Sequence, residues 1–237
     1  MAAMKRVGHK GADLLAPGNT LASFDAALAA GVDMIEFDVL PANAQDPGGS
    51  ALVLSHDYEH LAQTTPVTLE AGLDHLAGPA FAGLDFDVDL KTRGYEVRVV
   101  GALRERGLIE RVLVSSTHRD SLAAVRAAEP RLRLGWSVPN FKRDYSKSPL
   151  LALPALAWLQ VLRARLPRQV REGMQESRFD ALMAHWRMVD ARLLRTVHAA
   201  GGELYVWTVD DAQRIRRLRA LGVDAVVTND PRLFSAT

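Results

Sequence analysis

Short apolar runs rich in β-branched and aromatic residues alternate along the chain with longer Ala/Leu/Arg-rich segments of helical period, and this alternation leaves few architectures open. Successive strands joined by helices pair in parallel, because a crossover must carry the chain back to the same end of the sheet. The candidate strands are residues 5–9, 33–39, 51–56, 84–91, 111–116, 132–137, 180–185, 204–209 and 223–228. That is one more than a closed eight-stranded barrel needs. Residues 40–50 resolve the surplus: with Pro41, Pro47, Gly48 and Gly49 they are too short and too broken for a helical crossover. The second and third runs should therefore form an antiparallel hairpin, whose returning arm carries His56 and Asp57 back beside Glu36. The expected fold is α/β, a (β/α)8 TIM barrel with an extra hairpin strand after strand 2. At 237 residues and 48% hydrophobic content, one such domain over residues 1–237 is the simplest reading.

Charge and cysteine content narrow the chemistry. The 29 basic and 28 acidic residues leave a net charge of +1, so there is no global pull toward nucleic acid, and any anion must be held locally. With no cysteine there is no disulfide, thiolate site or cysteine nucleophile, and a metal would need oxygen or imidazole ligands, which favours hard cations such as Ca²⁺ or Mg²⁺. No stretch has the length of a membrane span, and residues 1–8 carry no apolar leader, so the expected location is cytoplasmic.

Residues 139–178 interrupt the rhythm with an apolar run over 150–162, followed by Arg163, Arg165, Arg168 and Arg171. A cap or lid over the site is the first reading. An extra core-packing helix is an equally open reading, and contact with a membrane surface through 150–171 is less favoured given the even charge balance and a helix broken by Pro154.

Two strands carry the chemistry. In residues 84–91 a period of two sends Phe86, Val88 and Leu90 to one face and Asp85, Asp87, Asp89 and Lys91 to the other, which in a barrel is the interior. Burying such a row costs several kcal/mol per unpaired ion, so a metal or anionic ligand should compensate it. In residues 33–39, Glu36 and Asp38 share a face in the same way. Glu36, Asp38 and Asp89 together make a three-oxygen site for one divalent cation. His9 and His56 end the first and third runs near this cluster, and one imidazole could activate an attacking oxygen while the other protonates a leaving alkoxide. Trp207 and His185 close strands at the expected mouth, where packing and pocket lining are equally open readings. Asp57, Asp85 and Asp87 fit supporting or ion-pairing roles, and His118 and Asn229 receive none.

Gly8-His9-Lys10-Gly11, Pro17-Gly18-Asn19-Thr20-Leu21, Glu36-Phe37-Asp38-Val39, Leu54-Ser55-His56-Asp57, Asp87-Val88-Asp89-Leu90-Lys91, Trp207-Thr208-Val209, and Gly222-Val223-Asp224 followed by Thr228-Asn229-Asp230-Pro231 resemble, in order, the motifs of the glycerophosphodiester phosphodiesterase family. The resemblance runs from residue 5 to 231 and omits 139–178. It implies a (β/α)8 barrel that hydrolyses small glycerophosphodiesters to glycerol 3-phosphate and an alcohol with a divalent cation. By motif it makes His9 and His56 the catalytic pair, Glu36, Asp38 and Asp89 the metal ligands, and Lys91 a phosphate-site lysine. Lys10 stands where the family has arginine, Gly18 where it has glutamate, and Asp89 where glutamate is usual. The charges are consistent: three carboxylates and a divalent cation sum to one negative charge, and Lys10 and Lys91 turn that positive, toward a phosphodiester anion. Two other readings are a phospholipase D of the sphingomyelinase D kind acting on intact lipid, and a non-catalytic barrel that binds phosphodiesters.

Overall fold

The structure is a computed structural model that describes residues 3–139 and 152–235, with the backbone alone for 152–159. Nine strands form one sheet: β1 (Lys5–Gly8), β2 (Met34–Pro41), β3 (Leu52–Leu54), β4 (Asp85–Leu90), β5 (Val112–Ser116), β6 (Arg133–Val138), β7 (Ala181–His185), β8 (Glu203–Trp207) and β9 (Ala225–Thr228). The order β1-β9-β8-β7-β6-β5-β4-β2 is closed by parallel pairing of β1 with β2, so eight parallel strands make a ring. β3 stands outside it, antiparallel to β2 with Val39 opposite Leu54 and Pro41 opposite Leu52. The broken stretch between the second and third runs is thus a hairpin connection, and the expected (β/α)8 barrel with one extra strand is the observed one.

Among the described residues, eight helices accompany the strands: α1 (Leu21–Ala29), α2 (Tyr58–Leu61), α3 (Leu69–Leu76), α4 (Glu96–Glu105), α5 (Arg119–Ala128), α6 (Ala152–Gln175), α7 (Ala191–Ala199) and α8 (Ala212–Leu221). Several begin where a short polar side chain caps free N–H groups: Thr20 accepts from Ser23 N, Asp57 from His60 N, Asp190 from Leu193 N and Asp211 from Arg214 N. α8 ends on Gly222 in the left-handed region, at φ 94°.

Strand alternation splits the interior in two. Ile35, Phe37, Phe86, Val88 and Leu90 face the helices and join the large outer core. Val7, Met34, Leu113, Met183, Tyr205 and Val227 fill the middle of the ring. Gly135 on β6 makes room there, since a Cβ at that position would lie 2.9 Å from side-chain atoms of both Leu113 and Met183. Below this plug, at the N-terminal end of the strands, Lys5 pairs with Asp85 at 2.6 Å and Arg133 pairs with Glu203. The charged row of β4 is therefore divided by height: Asp85 belongs to the bottom ion pair, while Asp89 and Lys91 reach the opposite mouth.

Within the expected cap segment, residues 140–151 lie outside the described residues. From residue 152 the chain is helical, and Pro154 does not break α6, because it falls in the first turn, where its missing N–H removes no intrahelical bond. Leu166, Val170 and Met174 are buried, so the later half of α6 serves as the crossover from β6 to β7 in the helical layer.

Candidate active site

The C-terminal mouth of the barrel opens into a cleft of about 480 Å³, lined among others by His9, Lys10, Glu36, His56, Asp89 and Lys91. Each reaches it for a local reason. In-register pairing of β2 with β4 sets Glu36 beside Asp87 and Asp38 beside Asp89, all pointing inward. His9 follows β1 directly in a turn that only glycine permits on both sides: a Cβ on Gly8 would collide with the carbonyl of Gly11, and Gly11 itself has φ +84°. Lys10, at φ 50°, turns its backbone N–H onto Glu36 Oε2 at 2.7 Å. The hairpin brings His56 back from β3, and its Nδ1 lies 3.2 Å from Asp38 Oδ2.

Glu36, Asp38 and Asp89 each offer a carboxylate oxygen, and these oxygens lie within 4.8 Å of one another. Asp38 is fully buried and Glu36 nearly so. Lys91 stretches between two of them, with Nζ 2.6 Å from Asp38 Oδ1 and 2.6 Å from Asp89 Oδ2. Burial alone would raise Asp38, but Lys91, His56 and His9 outweigh it and hold its carboxyl well below the usual range. Glu36 goes the other way: burial, then the facing charge of Asp38, pushes it well above. Asp87, in the layer beneath, is raised well above its ordinary value by burial and by Asp89, and its Oδ1 has no hydrogen-bond partner.

A site with four inward carboxylates and one ammonium at its floor is short of positive charge, and the elevated Glu36 is the mark of that shortage. Glu36, Asp38 and Asp89 thus fit a hard divalent cation in donor type, spacing and charge.

The two histidines are oriented differently. His9 Nδ1 lies 2.6 Å from Asn229 Oδ1, while Asn229 Nδ2 donates to Asp210 Oδ2 at 2.7 Å. Because a carboxylate only accepts, Asn229 must present its oxygen to His9, so His9 carries its proton on Nδ1 and has a bare Nε2. That Nε2 is 3.8 Å from Glu36 Oε2. Burial lowers the pKa of His9, an effect only partly offset by Asp38 and Asn229, so the ring is neutral near pH 7.

His9, His56, Glu36, Asp38, Asp89, Lys10, Lys91 and Trp207 come together at this mouth. Lys10 lines the cleft, with its Nζ 3.4 Å from Asp13 Oδ2. Trp207 lines it too; its indole N–H donates to Met183 O at 2.9 Å, and the His185 ring stands edge-on at 5.3 Å. Asp57 is a helix cap and Asp85 a distant ion pair.

Sequence reasoning missed the supports. Asn19 is 3% exposed and grips Asp38 twice: its Nδ2 donates to Asp38 Oδ2 at 2.9 Å, and its Oδ1 accepts from Asp38 N at 3.0 Å. Asn19 has φ 59°, a conformation asparagine tolerates better than most residues, and its place after Gly18 and before the capping Thr20 was the available signal. Asn229 stood in the Thr228-Asn229-Asp230-Pro231 motif without a role, and Asp210, directly after Trp207-Thr208-Val209, was not singled out.

Comparison with known proteins agrees with this geometry. The model of the glycerophosphoryl diester phosphodiesterase family matches residues 9–76 and 85–233. A glycerophosphodiester phosphodiesterase of Caldanaerobacter subterraneus is 27% identical over 272 residues, covering 95% of this chain and 93% of that protein. A 47-residue stretch is 51% identical to glycerophosphodiester phosphodiesterase GDPD4 of Arabidopsis thaliana, spanning 14% of that longer protein. Among solved structures, a protein from Silicibacter pomeroyi described as a putative glycerophosphoryl diester phosphodiesterase superposes with a TM-score of 0.74 at 18% identity, covering 99% of this chain and 94% of that one. A phosphodiesterase from Oleispira antarctica in complex with the product sn-glycerol-3-phosphate gives a TM-score of 0.66 at 20% identity, covering 99% and 96%. With its sequence matched across nearly the whole barrel, the chain belongs to the glycerophosphoryl diester phosphodiesterase family.

Proposed function

We propose that this chain hydrolyses small glycerophosphodiesters to glycerol 3-phosphate and an alcohol, with one divalent cation, Ca²⁺ or Mg²⁺, held by Glu36, Asp38 and Asp89. The observation that carries the reading is the meeting of two histidines from separate strand ends on one carboxylate cluster, His9 at 3.8 Å from Glu36 and His56 at 3.2 Å from Asp38. When bound, the cation polarises the phosphoryl oxygens and offsets their negative charge.

The protein's own groups supply the proton transfers. His9, neutral and with a bare Nε2, accepts the proton of the attacking oxygen as that oxygen bonds to phosphorus. His56, held by its Nδ1 against a full carboxylate, gives a proton to the alkoxide as the other P–O bond breaks. Lys10 and Lys91 hold the phosphodiester anion by charge, and Trp207 offers an apolar wall for its carbon skeleton. The cleft is of ordinary size for a small ligand. The product in the Oleispira antarctica neighbour supports the same substrate class.

The test is release of glycerol 3-phosphate from a panel of glycerophosphodiesters with Ca²⁺, Mg²⁺ or Mn²⁺ supplied in turn. Release of the free alcohol and glycerol 3-phosphate with at least one cation supports the proposal. Release of free glycerol and a phosphorylated alcohol instead, or no cleavage with any cation, would overturn it.

A further inference from the structure

The loop that follows β1 holds the carboxylate cluster from both of its ends. At its start the Lys10 N–H donates to Glu36 Oε2 at 2.7 Å, and at its end Asn19 Nδ2 donates to Asp38 Oδ2 at 2.9 Å. Asp13, inside the loop, ties these ends together: its Oδ1 accepts from Gly18 N at 2.9 Å, and its Oδ2 lies 3.4 Å from Lys10 Nζ. The backbone fixes where this carboxylate sits, since the next residue, Leu14, donates its N–H to Asn229 O at 3.0 Å. Gly18 leaves it room, because a Cβ there would lie 2.5 Å from Asp13 Oδ1. The two lysines of the cleft are held differently. Lys91 Nζ is 2.6 Å from both Asp38 and Asp89, the length of a full charge-assisted hydrogen bond. Lys10 Nζ stands beyond that length from Asp13, so its ammonium is steered rather than consumed and keeps N–H donors for an incoming anion.

We propose that Asp13 is a positioning residue that sets how tightly the cleft holds a phosphodiester anion, by keeping the Lys10 ammonium at the cleft wall. The proposal rests on the reading of Lys10 as a phosphate-binding group. Asp13 acts on the anion in two opposed ways. An untethered lysine loses its rotamer freedom on meeting the anion, whereas a tethered one has lost it already, which favours binding by roughly 10-fold. The carboxylate's own charge repels the anion, but across a solvated and screened distance this disfavours binding by only roughly 2-fold. Positioning therefore wins, and an acid strengthens the hold on a ligand of its own sign.

The experiment is a double-mutant cycle on the full chain with Mg²⁺ present, read as KM for a glycerophosphodiester and as the Kd of sn-glycerol 3-phosphate by calorimetry. Asp13→Asn should raise KM by about 5-fold with kcat little changed. The asparagine oxygen can still accept from Gly18 N, so the thermal unfolding midpoint should not move. In a Lys10→Met background the same change should lower KM by roughly 2-fold, because only the repulsion is left to remove. The Kd should follow the same signs. That arm reads the coupling of Lys10 to Asp13 even if the unaltered chain hydrolyses no diester, a result that would count against the proposed function alone. Four results would overturn the proposal: a lower KM and Kd in Asp13→Asn, an equal effect of that change in both backgrounds, a drop in the thermal midpoint with KM and Kd unchanged, or no measurable binding of glycerol 3-phosphate.

Discussion

Asn229 accepts a hydrogen bond from His9 Nδ1 at 2.6 Å, and this one contact joins the end of the last barrel strand to the end of the first. Asn229 is fixed in turn by Asp210, which accepts from both its backbone and its side-chain N–H at 2.8 and 2.7 Å. The pair sets which nitrogen of His9 is bare, so Asn229→Ala should lower kcat by roughly 10- to 100-fold, the range for losing a group that orients a catalytic imidazole. Cation affinity should change little, because Asn229 touches no carboxylate of the cluster. An unchanged kcat would show that packing alone orients His9.

Asn19 acts on the other half of the site. By gripping Asp38 through both its carboxylate and its backbone N–H, it holds a proposed ligand in one rotamer. Asn19→Ala should weaken binding of Ca²⁺ or Mg²⁺ by roughly 10- to 100-fold in a calorimetric titration of the purified protein. Affinity equal to that of the unaltered chain would mean that Lys91 and burial suffice to fix Asp38.

Much of this was legible from sequence. The proline and glycine content of residues 40–50 fixed the hairpin, and the period of two in 33–39 and 84–91 placed Glu36, Asp38, Asp87 and Asp89 inside. Alternation assigns a face but not a height, which is why Asp85 shared the row with Asp89 yet lies at the opposite end, with Lys5. The asparagine supports were hidden for another reason. His9 and Asn229 are 220 residues apart, and their contact exists only because β1 and β9 pair when the ring closes. Pro154 looked like a helix breaker because its meaning depends on whether it falls in a first turn or an interior.

The pH dependence follows from His9. Its pKa is lowered by burial from the usual 6.5, and a general base works only when deprotonated. Activity should therefore rise with pH through a midpoint below that ordinary value and lose this limb in His9→Ala. A profile of kcat/KM against pH checks it; an acid limb with its midpoint above 6.5 would contradict a buried, neutral His9.

Stability has its own titration, far from the cleft. Glu129 is held down to about 2 by hydrogen bonds from Arg131 first and Arg104 second. A carboxylate depressed in the folded state stabilises the fold above its unfolded value of roughly 4.3, and that contribution is lost as pH falls toward the folded value. Glu129→Gln should thus lower the thermal midpoint at pH 7, and the gap between the two proteins should close between about pH 4 and pH 2. A gap that stayed constant over that window would assign the effect to packing rather than charge.

The division of labour between the histidines is tested most directly by leaving-group dependence. The measurement is kcat/KM of His9→Ala and His56→Ala on a glycerophosphodiester with an ordinary alcohol and on a nitrophenyl phosphodiester, whose leaving group needs no proton. On the ordinary substrate each variant should lose roughly 10²- to 10⁴-fold, the usual range for a missing general acid or base. On the nitrophenyl substrate His56→Ala should recover most of its activity and His9→Ala should not. Recovery of His9→Ala alone would reverse the assignment, and losses of only a few-fold in both variants on the ordinary substrate would contradict two-histidine catalysis at this site.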